Sequence, residues 1–138
     1  MRRTHVSFES QPGATVDMAA AAALASRLTT ALQGQGVAAS AIRPLDYAQE
    51  FELRHGERTF YSMLGPANDE IRQWLWFADS TLGAWAKLLG RRDEAEHTAV
   101  LQAMDVVLRE LGMQSVRWYE PVDWNEGPNE RWHRDPVV

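Results

Sequence analysis

The hydrophobic and polar positions near the start of the chain follow two different periods. Residues 4–10, THVSFES, alternate apolar and polar side chains, which indicates a strand with one buried and one wet side. Residues 16–33 are rich in Ala and Leu and repeat their apolar positions at helical spacing, and two glycines follow as stop signals. The pattern therefore predicts a short strand followed by a long helix.

Two further stretches predict strands in the middle of the chain. Residues 37–46 are a weak strand candidate, and Pro44 places this strand at the edge of a sheet or at its own end. Residues 71–78 predict a further strand, on which Trp74 and Trp76 share one side while Leu75 and Phe77 share the other with Ile71.

Between these stretches, residues 49–64 predict a β-hairpin. His55 and Gly56 form its tip, because glycine supplies the positive φ that a tight turn requires. A two-residue loop at this position pairs Phe51 with Phe60 across the hairpin.

The C-terminal half predicts two helices, a strand and a tail. Residues 80–90 suggest a short helix, and residues 93–112 a second long helix with acidic residues in its first turn. Residues 115–121 predict a last strand. The polar tail, 121–138, carries two tryptophans, and we expect it to dock on the body because disordered tails are poor in aromatic residues.

These elements predict one α+β domain over residues 1–138. Their order is β-α-β-β-β-β-α-β, with an extra short helix before the second long one. Both long helices are expected on one side of a mostly antiparallel sheet, which makes a two-layer sandwich.

The sheet then has a helix-facing side and a helix-free side. A coherent apolar set is assigned to the helix-facing core: Val6, Phe8, Phe51, Leu53, Phe60, Leu64, Leu75, Phe77, Val116 and Trp118. The helix-free side receives a mixture of aromatic and charged residues: Tyr61, Met63, Trp74, Trp76, Tyr119, Glu50, Glu52, Arg54, Arg72 and Arg117. Aromatic residues and arginine are enriched at protein interfaces, so this side is the candidate contact surface.

Three different covers fit such a surface. The tail could fold back and place Trp124 or Trp132 against Trp74 and Trp76 as a second small core. A symmetry mate could bury the surface as the seam of a homodimer. A different protein could bind it, through a proposed set of residues: Tyr61, Trp74, Trp76 and Tyr119 as apolar anchors, with Arg54 and Arg117 as hydrogen-bond donors.

Composition narrows the function classes. The 138 residues include no cysteine, which excludes a disulfide framework, a thiolate zinc site and a cysteine nucleophile, and fits the cytoplasm. The net charge of -5 argues against a nucleic-acid partner, since such proteins present a basic stripe to phosphates. No apolar run approaches the length of a membrane span, so no membrane partner is expected.

Catalytic chemistry is sparse in the sequence. The four histidines lack metal-ligand spacing, and we expect neither a metal nor a cofactor. His133 with Asp135, and Glu50 with Glu52, are the two combinations that could titrate together, and each is better explained as solvated polar residues. Serine-nucleophile and phosphate-loop motifs are missing.

The sequence favours a non-enzymatic protein-binding module. In layout, although not in any family motif, the chain looks like small, acidic, cysteine-poor bacterial proteins that neutralise a toxin by binding it, which implies an immunity or inhibitor role against a basic partner. One alternative is a small-molecule-binding protein or small enzyme with a pocket between sheet and tail. The other is a homodimeric structural module.

Overall fold

The computed structural model describes residues 2–10, 16–68, 73–126 and 131–137. Residues 71 and 72 of a predicted strand, among them the surface candidate Arg72, and residues 127–130 and 138 of the predicted tail lie outside these ranges. The strands are His5–Glu9 (β1), Ala38–Ala39 (β2), Arg43–Pro44 (β3), Gln49–His55 (β4), Arg58–Asn68 (β5), Gln73–Ser80 (β6) and Gln114–Tyr119 (β7). The helices are Met18–Gly34 (α1), Ala84–Leu88 (α2), Glu94–Glu110 (α3) and Pro121–Glu126 (α4).

The strands form one antiparallel sheet in the order β2-β4-β5-β6-β1-β7, with β3 paired to the same edge of β4 as β2. The first strand of the chain therefore lies inside the sheet, between β6 and β7. The long helices α1 and α3 pack against each other and against one side of the sheet. The predicted α+β sandwich with a mostly antiparallel sheet is confirmed.

The segment predicted as a single strand over 37–46 forms two very short strands instead. Between β2 and β3, the Ser40 hydroxyl accepts the amide hydrogen of Glu52 at 2.9 Å, in place of a backbone carbonyl. The ladder along the β4 edge is therefore irregular at this point, although the Ser40 amide still donates to the Glu52 carbonyl at 2.9 Å.

Helix α1 is built from short side chains on its sheet-facing stripe. Its N-terminus is capped by Asp17, whose Oδ1 accepts the amide hydrogen of Ala20 at 2.8 Å. The buried residues of this stripe are Ala21, Leu24, Ala25, Leu28 and Leu32. Because two of these five side chains are alanines, the stripe has little bulk and the helix can lie close to the sheet.

The β4–β5 hairpin has a different register from the predicted one. Its two-residue loop is Gly56-Glu57, and Gly56 has a φ of +60°, so Phe51 pairs with Ser62 instead of Phe60. The predicted pairing is wrong by two residues along β5. A shift of two preserves the alternation of sides, and each hairpin residue therefore still faces the predicted side.

The side assignment of β6 is wrong. Trp76 pairs with Leu64 on β5 and with Val6 on β1, and directly paired residues share a side, so Trp74 and Trp76 point beneath the helices. The two rings are 1% and 0% exposed. The predicted core residues Leu75 and Phe77 lie on the helix-free side instead.

The apolar area that an indole ring buries explains why Trp74 and Trp76 take the helix-facing side of the sheet. The Trp76 ring packs edge-on against the Trp118 ring with centroids 6.3 Å apart, in the core where α3 lies against β6 and β7. Fully burying an indole removes a larger apolar area from water than burying the leucine or phenylalanine next to it. The helix-facing position of Trp74 and Trp76 therefore buries more apolar area than the opposite arrangement of β6 would.

Candidate functional site

The helix-free side of the sheet falls into two halves. The covered half comprises the β1 and β7 residues His5, Ser7, Arg117 and Tyr119, over which the described parts of the tail lie. The open half comprises residues of β4, β5 and β6, namely Glu50, Glu52, Arg54, Tyr61, Met63, Leu75, Phe77 and Asp79.

Helix α4 supplies the cover of the first half. Trp124 packs edge-on against Tyr119 with ring centroids 5.2 Å apart, and its ring stacks over His5 at 6.4 Å. Tyr119 is 1% exposed, and its hydroxyl accepts a long hydrogen bond of 3.4 Å from Ser7. The tail therefore closes this half as a small second core, through Trp124 against β1 and β7 and not through the predicted contact with Trp74 and Trp76.

The last described segment fixes the tail further. His133 exchanges two backbone hydrogen bonds with Trp118, of 2.8 and 2.7 Å, and extends the sheet beyond β7. The Arg3 amide donates to the Pro136 carbonyl at 2.8 Å. The Arg117 guanidinium lies 5.0 Å from the centre of the Trp132 ring, a cation–π contact.

In the open half, apolar side chains surround a cavity of about 190 Å³. Its lining residues are Tyr47, Ala48, Met63, Gly65, Pro66, Leu75 and Phe77. The Tyr47 side chain is 66% exposed and stands at the rim. The tight approach of the Tyr47 turn to β5 requires glycine at position 65, because a Cβ there would lie 2.8 Å from the Tyr47 carbonyl oxygen.

A polar cavity of about 310 Å³ lies beside the apolar one, between β4 and the β2–β3 segment. At its floor, the Tyr61 hydroxyl donates to Glu50 Oε2 at 2.6 Å, and the Arg43 guanidinium forms an ion pair with Glu50 Oε1. Glu50 is 9% exposed, whereas Arg43 and Glu52 are exposed. Both oxygens of Glu50 are thus occupied within the protein, and Glu52 remains available to a partner.

Strand pairing arranges the open half in rows. One row runs from Glu52 through Tyr61 to Asp79, so two exposed carboxylates flank one aromatic ring. The next row begins with Arg43 and Glu50 and continues through Met63 to Phe77. The Tyr61 and Phe77 rings are 6.3 Å apart and join the two rows.

His5 lies at the boundary between the two halves. Its ring stacks on Phe77 of the open half at 5.0 Å and on Trp124 of the covered half at 6.4 Å. Burial lowers the pKa of His5 below its usual value of 6.5, and the negative charge of Asp79 partly opposes this effect. The imidazole is thus neutral near pH 7 and acts as an aromatic ring.

The six predicted contact residues are therefore dispersed. Tyr61 and Arg54 lie in the open half, Arg117 and Tyr119 lie beneath the tail, and Trp74 and Trp76 are in the core. Rings with at most 1% exposure cannot anchor a partner, so Trp74, Trp76 and Tyr119 are removed from the candidate surface.

Three residues of the open half were not predicted as contact residues: Leu75 and Phe77 were assigned to the core, and Tyr47 to neither side. The pairing of β6 with β5 and β1 reveals that Leu75 and Phe77 face away from the helices. Tyr47 carries a weaker signal, because it belongs to a short turn with no periodicity of its own. An exposed tyrosine next to Pro and Asp residues is nevertheless a candidate contact residue.

The pairs considered for catalysis do not form a site with recognisable chemistry. Glu50 and Glu52 share the helix-free side, but Glu50 is engaged by Tyr61 and Arg43. His133 is held in the sheet by its backbone. Within the described residues, no group of three or more His, Asp or Glu side chains is arranged to hold a metal ion.

None of the helices in the described part of the chain has both the length and the apolarity needed to cross a membrane.

No protein-family model matches the chain, and neither the curated proteins nor the solved structures contain a significant match. Function is therefore argued from the residues of this chain.

Proposed function

We propose that the protein is a non-enzymatic binding module of the cytoplasm that docks a partner protein on the open half of its sheet. The partner inserts one apolar side chain into the cavity between Tyr47 and Phe77 and brings a basic group to Glu52 and Asp79. In keeping with the size and acidity of the chain, the partner class is a basic protein that is inhibited by this contact, as in an immunity pair.

One observation carries this proposal: a small apolar cavity lies open beside two exposed carboxylates, on a sheet whose other half is closed by its own tail. The volume of about 190 Å³ is below the 300–1,000 Å³ that is usual for small-molecule sites. It suits a single large side chain, and such anchor pockets concentrate the binding energy of protein interfaces.

Electrostatics supports a basic partner. Glu52 and Asp79 are exposed on either side of Tyr61, and the chain carries a net charge of -5. Arg54 lies at the border of the same surface and can donate hydrogen bonds to partner carbonyls. Complementary charge accelerates association and fixes orientation, while the apolar anchor supplies affinity.

A second candidate function is the binding of a small molecule. It is favoured by the adjacency of the apolar and polar cavities, which together reach the size of a small-ligand site. Such a ligand would place an apolar group near Leu75 and a hydrogen-bonding group near Glu52. A further cavity of about 510 Å³, between the residues that precede β1, α3 and the tail, is lined by Arg2, Thr4, Thr98, Pro121 and Val137.

The proposal is tested by comparing variants in a pull-down from the native host. Tyr47→Ala removes the exposed rim of the cavity, and a Glu52→Lys/Asp79→Lys variant reverses the charge of the acidic row. We expect both variants to lose a protein that the wild type retains, with unchanged thermal unfolding, because all three side chains are exposed. The retained protein is then purified and its Kd measured by calorimetry.

A matched control is Val106→Ala, because Val106 is an exposed apolar residue of α3, on the other layer of the molecule. It should bind as the wild type does. Equal retention of the same protein by the wild type and both surface variants would refute the docking site. Retention of no protein, together with a small molecule that protects against thermal unfolding, would favour the second candidate.

A further inference from the structure

Helix α2 presents its apolar face to solvent. Trp85, Leu88 and Leu89 are spaced i, i+3 and i+4, so they lie on one face of the helical turn. Their exposed fractions are 72%, 74% and 67%, and no residue of α2 is buried. Large apolar side chains grouped in this way on a surface indicate a contact site.

The same segment is basic, in contrast to the rest of the protein. Lys87, Arg91 and Arg92 are exposed and lie within six positions of one another, whereas the whole chain has a net charge of -5. Arg92 donates to the carbonyl oxygens of Lys87 and Arg91, at 2.6 and 2.9 Å, and closes the C-terminal end of the helix. Among the described residues, the side chains of Lys87 and Arg91 have no ion-pair partner.

The ends of this segment are clamped to the body. The Ser80 hydroxyl donates to the carboxylate of Asp93, which is 1% exposed, and so joins the residue before the segment to the residue after it. Thr81 donates to the Thr59 carbonyl at 2.7 Å. The segment is therefore a closed loop, fixed at its base, with its apolar face pointing outward.

We propose that α2 and its flanking basic residues form a docking element for an anionic lipid surface. Trp85, Leu88 and Leu89 enter the boundary between headgroups and acyl chains, and Lys87 and Arg91 contact lipid phosphates. Tryptophan favours this boundary because its ring is apolar and its N–H is polar. A peripheral contact of this kind requires no spanning helix, and it departs from the expectation that the protein has no membrane partner.

Size and shape favour a lipid surface over a second protein. A stable protein interface buries about 800 Å² per partner, and a projecting turn with three apolar side chains offers only part of that area. A lipid surface adapts to a small convex tip and supplies the negative charge that the basic residues require. The proposal uses none of the residues of the open half, whose apolar cavity lies toward the other end of β5 and β6.

The full chain is tested by flotation with vesicles of phosphatidylcholine alone and with vesicles that contain equal amounts of phosphatidylcholine and phosphatidylglycerol. We expect binding to the anionic vesicles only, weakened by salt. The Trp85→Ala/Leu88→Ala variant should lower the partition coefficient about ten-fold or more, because it removes most of the inserted apolar area. The Lys87→Gln/Arg91→Gln variant should lower it about five-fold for each charge removed.

Two matched controls are Val106→Ala and Arg27→Gln, exposed residues of α3 and α1 that should leave the partition coefficient unchanged. Thermal unfolding of every variant is measured to show that the fold is retained. Absence of binding to anionic vesicles, or equal binding by the wild type and the Trp85→Ala/Leu88→Ala variant, overturns the proposal. A wild-type dimer that this variant loses, seen by light scattering without vesicles, would assign the surface to a second copy of the chain instead.

Discussion

The covered and open halves of the helix-free side are built from similar residues but differ in what lies over them. In the covered half, Tyr119 is sealed by Trp124 and is 1% exposed. In the open half, Tyr61 and Phe77 form an equivalent aromatic contact at 6.3 Å and remain half-buried beside a cavity. The presence of aromatic residues on a sheet therefore does not distinguish a second core from a binding surface. What distinguishes them is whether another part of the chain packs over those residues.

A continuous row of paired residues makes the comparison direct. From Glu50 the row passes through Met63 and Phe77 to His5 and Tyr119, and the Trp124 ring of α4 packs against the last two. Met63 and Phe77 in the open half are half-buried, whereas Tyr119 at the covered end is 1% exposed. The tail covers this row from Tyr119 as far as His5, and we propose that a partner protein covers the residues from Phe77 onward.

The largest expected effect on stability comes from neither half of the helix-free side. It comes from the helix-facing side of β6. Trp76→Ala should lower the free energy of unfolding by about 3–5 kcal/mol, because it leaves a cavity in the core between the sheet and α3. Chemical denaturation followed by circular dichroism measures this loss. A loss below about 1 kcal/mol would show that the indole is not a core residue and would restore it to the contact surface.

Removal of the cover should have the next largest effect. Trp124→Ala exposes Tyr119 and His5, and we expect the free energy of unfolding to fall by about 1–2 kcal/mol, since the ring is only half-buried. The equivalent change in α2, Trp85→Ala, serves as the control, because that ring is 72% exposed and should leave stability almost unchanged. Equal effects of the two substitutions would mean that α4 does not act as a cover.

Much of the fold could be predicted because local patterns determine it. Alanine-rich periodicity and the stop glycines locate α1, and the hairpin keeps its sides despite an error of two residues in register. The sides of β6 could not be predicted in this way. Apolar residues at 74, 75, 76 and 77 give no polar side to exclude, so pairing with the distant β1 decides the orientation.

The covered half was also difficult to predict in detail. Aromatic content suggested a contact between the tail and the body, but not the helix α4 through which Trp124 reaches Tyr119. Pro121 at the first helical position and Asp123 in the first turn are signals that could have identified this helix. The open half could not be delimited from sequence, because its limits depend on where α4 ends.

A smaller effect is expected on the titration of His5, at the boundary of the halves. Its pKa in the folded protein should lie below 6.5, because burial disfavours the charged ring, and Trp124→Ala should raise it by admitting water. Histidine chemical shifts followed against pH by NMR measure both values. An unchanged His5 pKa in Trp124→Ala would indicate that α4 does not shield this residue.

The sign of the linked stability change follows from these shifts. His97 also has a lowered pKa, because it is buried, although the Ala78 carbonyl and the charges of Asp93 and Asp79 oppose the shift and Arg2 adds to it. The unfolded chain then binds protons that the folded protein does not, so the free energy of unfolding falls as the pH decreases through 6.5. It levels off below the folded-state pKa values. His97→Gln, which can still donate to Ala78, should make this dependence shallower.

The smallest stability effect is expected in the open half itself. Tyr47→Ala should change the free energy of unfolding by less than about 0.5 kcal/mol, because the side chain is 66% exposed and the turn is held by backbone contacts, including the 2.7 Å bond from the Leu45 amide to the Ala48 carbonyl. Denaturation midpoints measured beside those of Trp124→Ala check it. If the open half can lose an aromatic ring without loss of stability and the covered half cannot, the open half is a surface available to a partner and the covered half is part of the core. A loss for Tyr47→Ala equal to that of Trp124→Ala would contradict this distinction.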